Sequence, residues 1–259
     1  MMSIKQTVLA LCAHPDDAEI FCGGTLIQLA EKGWDVHIAT LTSGDCGSAE
    51  EPAQVIAARR VAEAKSAAEL IGGAYHCLGG QDLQVYDNQQ MRSNSIALLR
   101  EVNPDVVITH YPVDYMPDHD AASALARTAV FTAPIPNYTV GKAAYFPAMQ
   151  KMAHLYYFGS PLGGTDYLGN PICPQFIIDI TDQMEQKKSM LACHASQRDW
   201  LRRQHGIDQY IDEMREWNEK TGQLVSKKYA EGFNQHLGHA YPHSPLLQDL
   251  LSAVFLSKE

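Results

Sequence analysis

Through about residue 132 the chain alternates short β-rich runs with longer helical patterns, and this alternation narrows the fold more than any other feature. A strand, a helix and a second strand in succession form a right-handed crossover, and repeated crossovers build a parallel sheet with helices on its faces. The pattern predicts strands at Thr7 to Cys12, Asp35 to Leu41, Ala74 to Cys77 and Asp105 to His110. Helices are expected from about Glu19 to Lys32, Gln54 to Leu70 and Asn88 to Glu101, the first two closed by Gly33 and Gly72, with a fourth beginning near Asp118. From about Thr132 to Pro174 the chain turns to Pro, Gly, Tyr and Asn, broken by a strand-like "HLYYF". Long irregular stretches of this kind usually form functional loops or a substrate wall. "FIIDI" then precedes a helical pattern from about Asp182 to Gln204 and a tail containing Tyr and His.

With 259 residues, 46% of them hydrophobic, the chain can bury a core within one large domain. We expect a single domain over 1–259, with a core over about 5–182 and a C-terminal helical extension over about 183–259. The net charge of -10 argues against nucleic acid or an anionic membrane as partner, since both draw on clustered Lys and Arg. The basic pairs Arg59-Arg60, Lys187-Lys188, Arg202-Arg203 and Lys227-Lys228 read as solvated helix faces. Six cysteines without a C-x-x-C pair point to a reducing compartment. The run "TVLALCA" after Lys5 is short and leads into "HPDD" without a cleavage site, and nothing reaches the roughly 18 apolar residues of a membrane span. A cytoplasmic location is therefore expected.

In a parallel sheet the loops that leave strand C-termini gather along one edge, where ligands bind. "AHPDD" leaves the first strand and "HYPVDYMPDH" leaves the "DVVIT" strand, which brings His14, Asp16, Asp17, His110, Asp114, Asp118 and His119 to that edge. Adjacent carboxylates leaving water need a compensating charge, and a divalent cation held by His and Asp supplies one. Taken singly, either motif also reads as ordinary helix capping, with Asp16 or Asp17 as an N-cap and Pro15 as a helix-start proline.

"AHPDDAEIFCGGTL" followed by "THYPVDYMPDH" resembles the PIG-L, or LmbE-like, metal-dependent N-deacetylases. The intervening "RRVAEAKSAAELIGG" and "QDL" fit that family's order, and "CHASQRDWLRRQHG" with "YAEGF" resembles the C-terminal part of one bacterial branch. The resemblance implies an α/β, Rossmann-like three-layer sandwich with a mostly parallel sheet and an elaborated C-terminal region. It implies removal of acetyl from a small amino sugar of the N-acetylglucosamine type, with Zn2+ or another divalent metal as cofactor, and it leaves room for a homo-oligomer. Carried over by position, it makes His14, Asp17 and His119 the metal ligands and Asp16 the general base, and it turns Arg60 and Asp82 towards substrate. Arg60 could equally pair with a carboxylate, and Asp82 could cap a turn.

One position departs from the family. Its second motif normally begins with a histidine that steadies the tetrahedral intermediate, and here that place is Met116. A thioether cannot donate a hydrogen bond, and loss of one such donor typically costs about 100- to 1000-fold in rate. The donor could be relocated to His110, Tyr115, His194, His236 or His239, which sequence alone does not rank as donors, although His194 reads as structural. His37, His76 and His205 also read as structural. The alternatives are a hydrolase of another amide or ester, and a metal-containing sugar-binding protein that has lost catalysis. A dinucleotide-binding protein fits poorly, because "FCGGTL" lacks the G-x-G-x-x-G spacing.

Overall fold

The first strand, β1 (Thr7–Cys12), reads TVLALC and is buried almost throughout, as a strand covered on both faces must be. In the computed structural model, which describes residues 5–198 and 209–256, it stands near the middle of an eight-stranded sheet. The other strands are β2 (Asp35–Thr42), β3 (Ala74–Gly80), β4 (Val106–Thr109), β5 (His154–Phe158), β6 (Phe176–Asp179), β7 (Ala230–Gln235) and β8 (Val254–Phe255). Their order is β3-β2-β1-β4-β5-β7-β6-β8. β1 to β5 run parallel, and antiparallel pairing begins where β7 meets β5. The expected α/β class with a mostly parallel sheet is therefore observed.

Alternation along β1 divides the interior into two layers. Val8, Ala10 and Cys12 face one core with Phe21, Leu26 and Leu29 of α1 (Asp17–Glu31) and Ala67 of α2 (Ala53–Glu69). Leu9, Leu11 and Ala13 face the other with Ile96 and Leu99 of α3 (Gln89–Val102) and Leu125 and Ala129 of α4 (Pro117–Thr132). Helices on both faces of one sheet make the three layers. Gly33 and Gly72 adopt φ of 84° and 67°, the left-handed conformation of helix ends that glycine takes without strain.

The C-terminal region differs from a helical extension. It supplies α5 (Met184–Ala192), a helical stretch α6 described over 195–198, α7 (Gln209–Gln223) and α8 (Leu246–Leu250), but also β7 and β8. The expected helix to Gln204 stops at Ala192, and residues 199–208, Arg202, Arg203 and His205 among them, lie outside the described residues. β7 hides from pattern reading because AEGFNQ carries a glutamate and a glycine, yet Glu231 is fully buried. Its carboxylate accepts from Gly24 N and Thr25 N, each at 2.8 Å, and pairs with buried Lys187 at 2.7 Å. Partnering of this kind allows a charge inside a sheet.

The irregular region after α4 divides by function. Buried Arg100 of α3 donates to the carbonyls of Ala133, Ile135, Tyr138 and Ala143, and so ties the first half against α3. The second half, beyond β5, brings Leu162 to the strand edge described next.

Candidate active site

At the C-terminal end of β1 the backbone turns sharply into α1, and Asp16 sits at φ 104°, a region that a non-glycine residue occupies only under constraint. It stands in the N-cap position of α1, but its side chain makes no capping bond. Instead its Oδ2 accepts from Arg60 Nη2 at 3.2 Å and from the Tyr210 hydroxyl at 2.6 Å. Arg60 also donates to the Pro15 carbonyl at 2.6 Å. The loop after β2 closes over this guanidinium through Gly44 and Gly47, where a Cβ would come within 2.6 and 2.5 Å of Arg60 nitrogens. Buried Arg60 thus makes its bonds to the turn that carries Asp16.

His14, Asp17 and His119 meet beside it, each buried, with one potential ligand atom apiece lying within 4.8 Å of the others. β1 delivers His14, the first turn of α1 delivers Asp17, and α4 delivers His119. His14 Nε2 lies 3.1 Å from Asp118 Oδ2, which leaves Nδ1 facing Asp17 Oδ2 at 3.5 Å. His119 Nδ1 lies 3.1 Å from Asp114 Oδ1, at an angle too poor for a regular hydrogen bond, and Nε2 faces Asp17 Oδ1 at 3.6 Å. Carboxylates behind two imidazoles, with the free nitrogens turned to one shared carboxylate, match the outer shell of metal-binding histidines. The donor set of two nitrogens and one oxygen fits a catalytic zinc-type site with an open position. Asp114 and Asp118 therefore support the histidines.

Charge within the cluster is finely divided. Burial pulls the His14 imidazolium down, but hydrogen bonds with Asp118 and Asp17 prevail and push its pKa up to about 10. His119 is likewise opposed by burial and raised by Asp17 and Asp114 to about 9. Burial would raise Asp17, yet His119 and His110 hold it well below the usual carboxylate range. Asp16 shifts upward because burial outweighs its attraction to Arg60 and His194. His110, fully buried and stacked on His119 with ring centroids 4.0 Å apart, is lowered to about 4 by burial and by its neighbour's charge. Its Nε2 lies 3.0 Å from Ala13 N and 3.1 Å from Asp17 Oδ2, so His110 contacts Asp17 as well as packing on His119.

The site opens into a cavity of about 390 Å³ lined by His14, Asp16, Asp17, Arg60, Asp82, Tyr115, Met116 and His119, among others. His14, Asp16, Asp17, Arg60, Asp82, Met116 and His119 thus all reach one cavity, whereas His110, Asp114 and Asp118 do not line it. Asp82 accepts from Cys46 N at 2.9 Å through Oδ2, while its buried Oδ1 has no partner among the described residues. Of the conceivable replacements for the missing donor, only Tyr115 lines this cavity, 58% exposed, its ring edge-on to His119 at 5.8 Å. Burial, with Asp114 and the other carboxylates nearby, pushes its phenol up to about 12, so it keeps its proton. His194 packs against Glu19 at 3.4 Å inside the protein. His236 N donates to the Leu155 carbonyl, so it follows the antiparallel β7 to the opposite sheet edge, where its Nδ1 meets Tyr157 OH at 2.7 Å.

Sequence reasoning missed Tyr210 altogether, because it lies far along the chain on a mostly polar helix. The "CHASQ" segment gave a partial signal. Ser196 binds Glu63 of α2, and Gln197 donates to the Gly47 carbonyl at 3.0 Å, which latches the C-terminal region onto the loop over Arg60.

Fold and site together define a three-layer α/β protein with a candidate metal centre at the C-terminal edge of a parallel sheet. The profile of the PIG-L family, described as GlcNAc-PI de-N-acetylase, matches residues 9–130. The chain is 30% identical over 198 residues to the diacetylchitobiose deacetylase of Thermococcus kodakarensis, covering 73% of this chain and 69% of that protein. It belongs to the PIG-L family. The 1D-myo-inositol 2-acetamido-2-deoxy-alpha-D-glucopyranoside deacetylase of Rhodococcus jostii is 30% identical over 156 residues, 49% of this chain and 53% of that protein. Among solved structures, the N,N'-diacetylchitobiose deacetylase from Pyrococcus horikoshii aligns with a TM-score of 0.76 at 25% identity, over 93% of this chain and 88% of that one. The 4-carboxy-2-hydroxymuconate hydratase GalB of a Pseudomonas species shares the fold, with a TM-score of 0.73 at 20% identity over 92% and 99% of the two chains.

Proposed function

We propose that this protein is a metal-dependent N-deacetylase acting on a small sugar of the N-acetylglucosamine type, with His14, Asp17 and His119 as ligands and Asp16 as general base. The observation that carries this reading is the meeting of the three ligand atoms beside the half-buried Asp16 carboxylate in one cavity. Zinc or a similar divalent ion held there would polarise the amide carbonyl and acidify a water. Asp16 takes the proton from the attacking water and returns it to the departing amine nitrogen, which leaves acetate and a free amino sugar. Arg60 and Tyr210 hold the Asp16 carboxylate in place, while Asp114 and Asp118 fix the two imidazoles. Tyr115 donates its phenol proton in a hydrogen bond to the carbonyl oxygen as charge develops there, the role left open at Met116. Asp82 offers an unpartnered oxygen to a sugar hydroxyl. Six free cysteines support a cytoplasmic setting, and among the described residues no helix is long and apolar enough to cross a membrane.

Acetate release from N-acetylglucosamine and its disaccharide by metal-loaded protein tests the assignment. Metal-dependent formation of acetate and amine in equal amounts is expected. Metal retention without turnover of any acetamido sugar would favour the sugar-binding alternative, for which Met116 is the supporting residue.

A further inference from the structure

The loop after β2 and the turn after β3 meet at one corner of the active-site cavity, where Asp45, Cys46 and Asp82 bring two carboxylates and a thiol together. One potential ligand atom from each lies within 4.8 Å of the others, close to the span that bonds of about 2.0–2.3 Å to a common ion require. Two reciprocal hydrogen bonds fix the corner. Asp45 Oδ1 accepts from Asp82 N at 2.7 Å, and Asp82 Oδ2 accepts from Cys46 N at 2.9 Å. Each carboxylate is thereby oriented through one oxygen, so little ordering remains to be done when the other binds. Asp82 is only 6% exposed, yet its Oδ1 has no hydrogen-bond partner among the described residues. A buried carboxylate oxygen left unpaired is costly. Arg60 and His14 feel its charge but neither bonds to it, since Arg60 donates to Asp16 and the Pro15 carbonyl and His14 faces Asp17 and Asp118. A metal ion sits between its ligands rather than in open solvent, so an oxygen closed to water suits an ion, and exposed Cys46 at the cavity wall gives it a way in. A thiolate beside carboxylates selects zinc and softer ions over magnesium or calcium.

We propose that this corner is a second metal site, which takes zinc or another thiophilic divalent ion through Asp45, Cys46 Sγ and Asp82 Oδ1 and keeps a further position for water. The thiol proton leaves to solvent as the sulfur–metal bond forms. Occupation withdraws the oxygen that Asp82 offers to a sugar hydroxyl, so excess ion competes with substrate. That competition rests on the deacetylase reading above, whereas the site itself can be measured without turnover. Cadmium is added to zinc-loaded protein and followed by the ultraviolet charge-transfer band of a cadmium–thiolate bond, which His14, Asp17 and His119 cannot produce. About one cadmium per chain should give the band in the wild type and in Cys173→Ala, which removes the other exposed thiol, and Cys46→Ala should abolish it. Asp45→Asn and Asp82→Asn can each keep the fixed hydrogen bond but lose a charged ligand oxygen, and each should weaken cadmium by about tenfold or more. No band in the wild type, a band that survives in Cys46→Ala, or an affinity unchanged in both asparagine variants, which marks a bare thiol adduct, would overturn the site. Zinc beyond the first equivalent should inhibit acetate release by the wild type at a concentration about tenfold or more below that needed for Cys46→Ala. Equal inhibition of the two would overturn the competition with substrate. The cadmium pattern without acetate release from any of these proteins would count against the deacetylase reading and leave the second metal site standing.

Discussion

The Tyr210 hydroxyl donates to Asp16 Oδ2 at 2.6 Å, joining residues 194 positions apart. Arg60 donates to the same oxygen, so among the described residues both donors act on Oδ2 and neither on Oδ1. The C-terminal helix α7 therefore orients a side chain that the first strand and helix bring to the cavity.

Replacing that hydroxyl tests the relationship. The donor favours the carboxylate form of Asp16, while burial opposes it. Tyr210→Phe should raise the Asp16 pKa further, and because a base must be deprotonated to act, the acidic limb of the kcat/KM profile should move to higher pH. Metal content should stay constant. A profile superimposable on the wild type would show that Tyr210 only packs.

Asp16→Asn preserves shape but cannot accept the proton. The variant should keep its metal and lose about 100- to 10,000-fold in kcat, measured by acetate release. Near-normal turnover would place the base elsewhere.

His14→Ala should abolish stoichiometric binding of a divalent ion, as elemental analysis will show. In chelator-treated protein His14 and His119 have pKa values raised to about 10 and about 9. Groups raised above their unfolded values stabilise the fold fully below about pH 6.5 and lose that contribution as pH rises through the folded values. The metal-free protein should therefore lose stability between about pH 6.5 and 10 in denaturant titrations, whereas metal affinity should rise over the same range because the ion displaces those protons. A metal affinity independent of pH would contradict the ligand assignment.

Tyr115→Phe should lower kcat by about 100- to 1000-fold with little change in metal content, the usual cost of one lost contact to a developing oxyanion. Met116→His should add little to the wild type and should restore activity in the Tyr115→Phe background. A large gain from Met116→His alone, set against a Met116→Leu packing control, would mean that nothing had replaced the donor.

Lys187→Met removes one partner of a fully buried ion pair between α5 and β7. It should destabilise the protein by about 3–5 kcal/mol in urea unfolding, because Glu231 keeps its charge without its cation.

Periodicity alone placed β1, β2, β5 and β6 and the first four helices close to their observed bounds, because each carries its own burial pattern. The same local rules put "HPDD" and "PDH" at strand ends, and parallel crossovers then bring them to one edge whatever the details of packing. β7 was not legible, since its buried glutamate is tolerated only through Lys187 and two amides of α1, partners scattered along the chain. The support of the site was equally hidden. Nothing in the residues near Tyr210 indicates that its hydroxyl meets Asp16, and nothing near Arg60 indicates that Gly44 and Gly47 close over it. Sequence by itself determined which chemical groups stand at the sheet edge, because alternation and turn chemistry are local. Only the tertiary structure decided which nitrogen of each histidine faces Asp17, which oxygen of Asp16 is held, and that Tyr115 rather than a C-terminal histidine lines the cavity, because those choices depend on distances between residues that meet only when the sheet is complete.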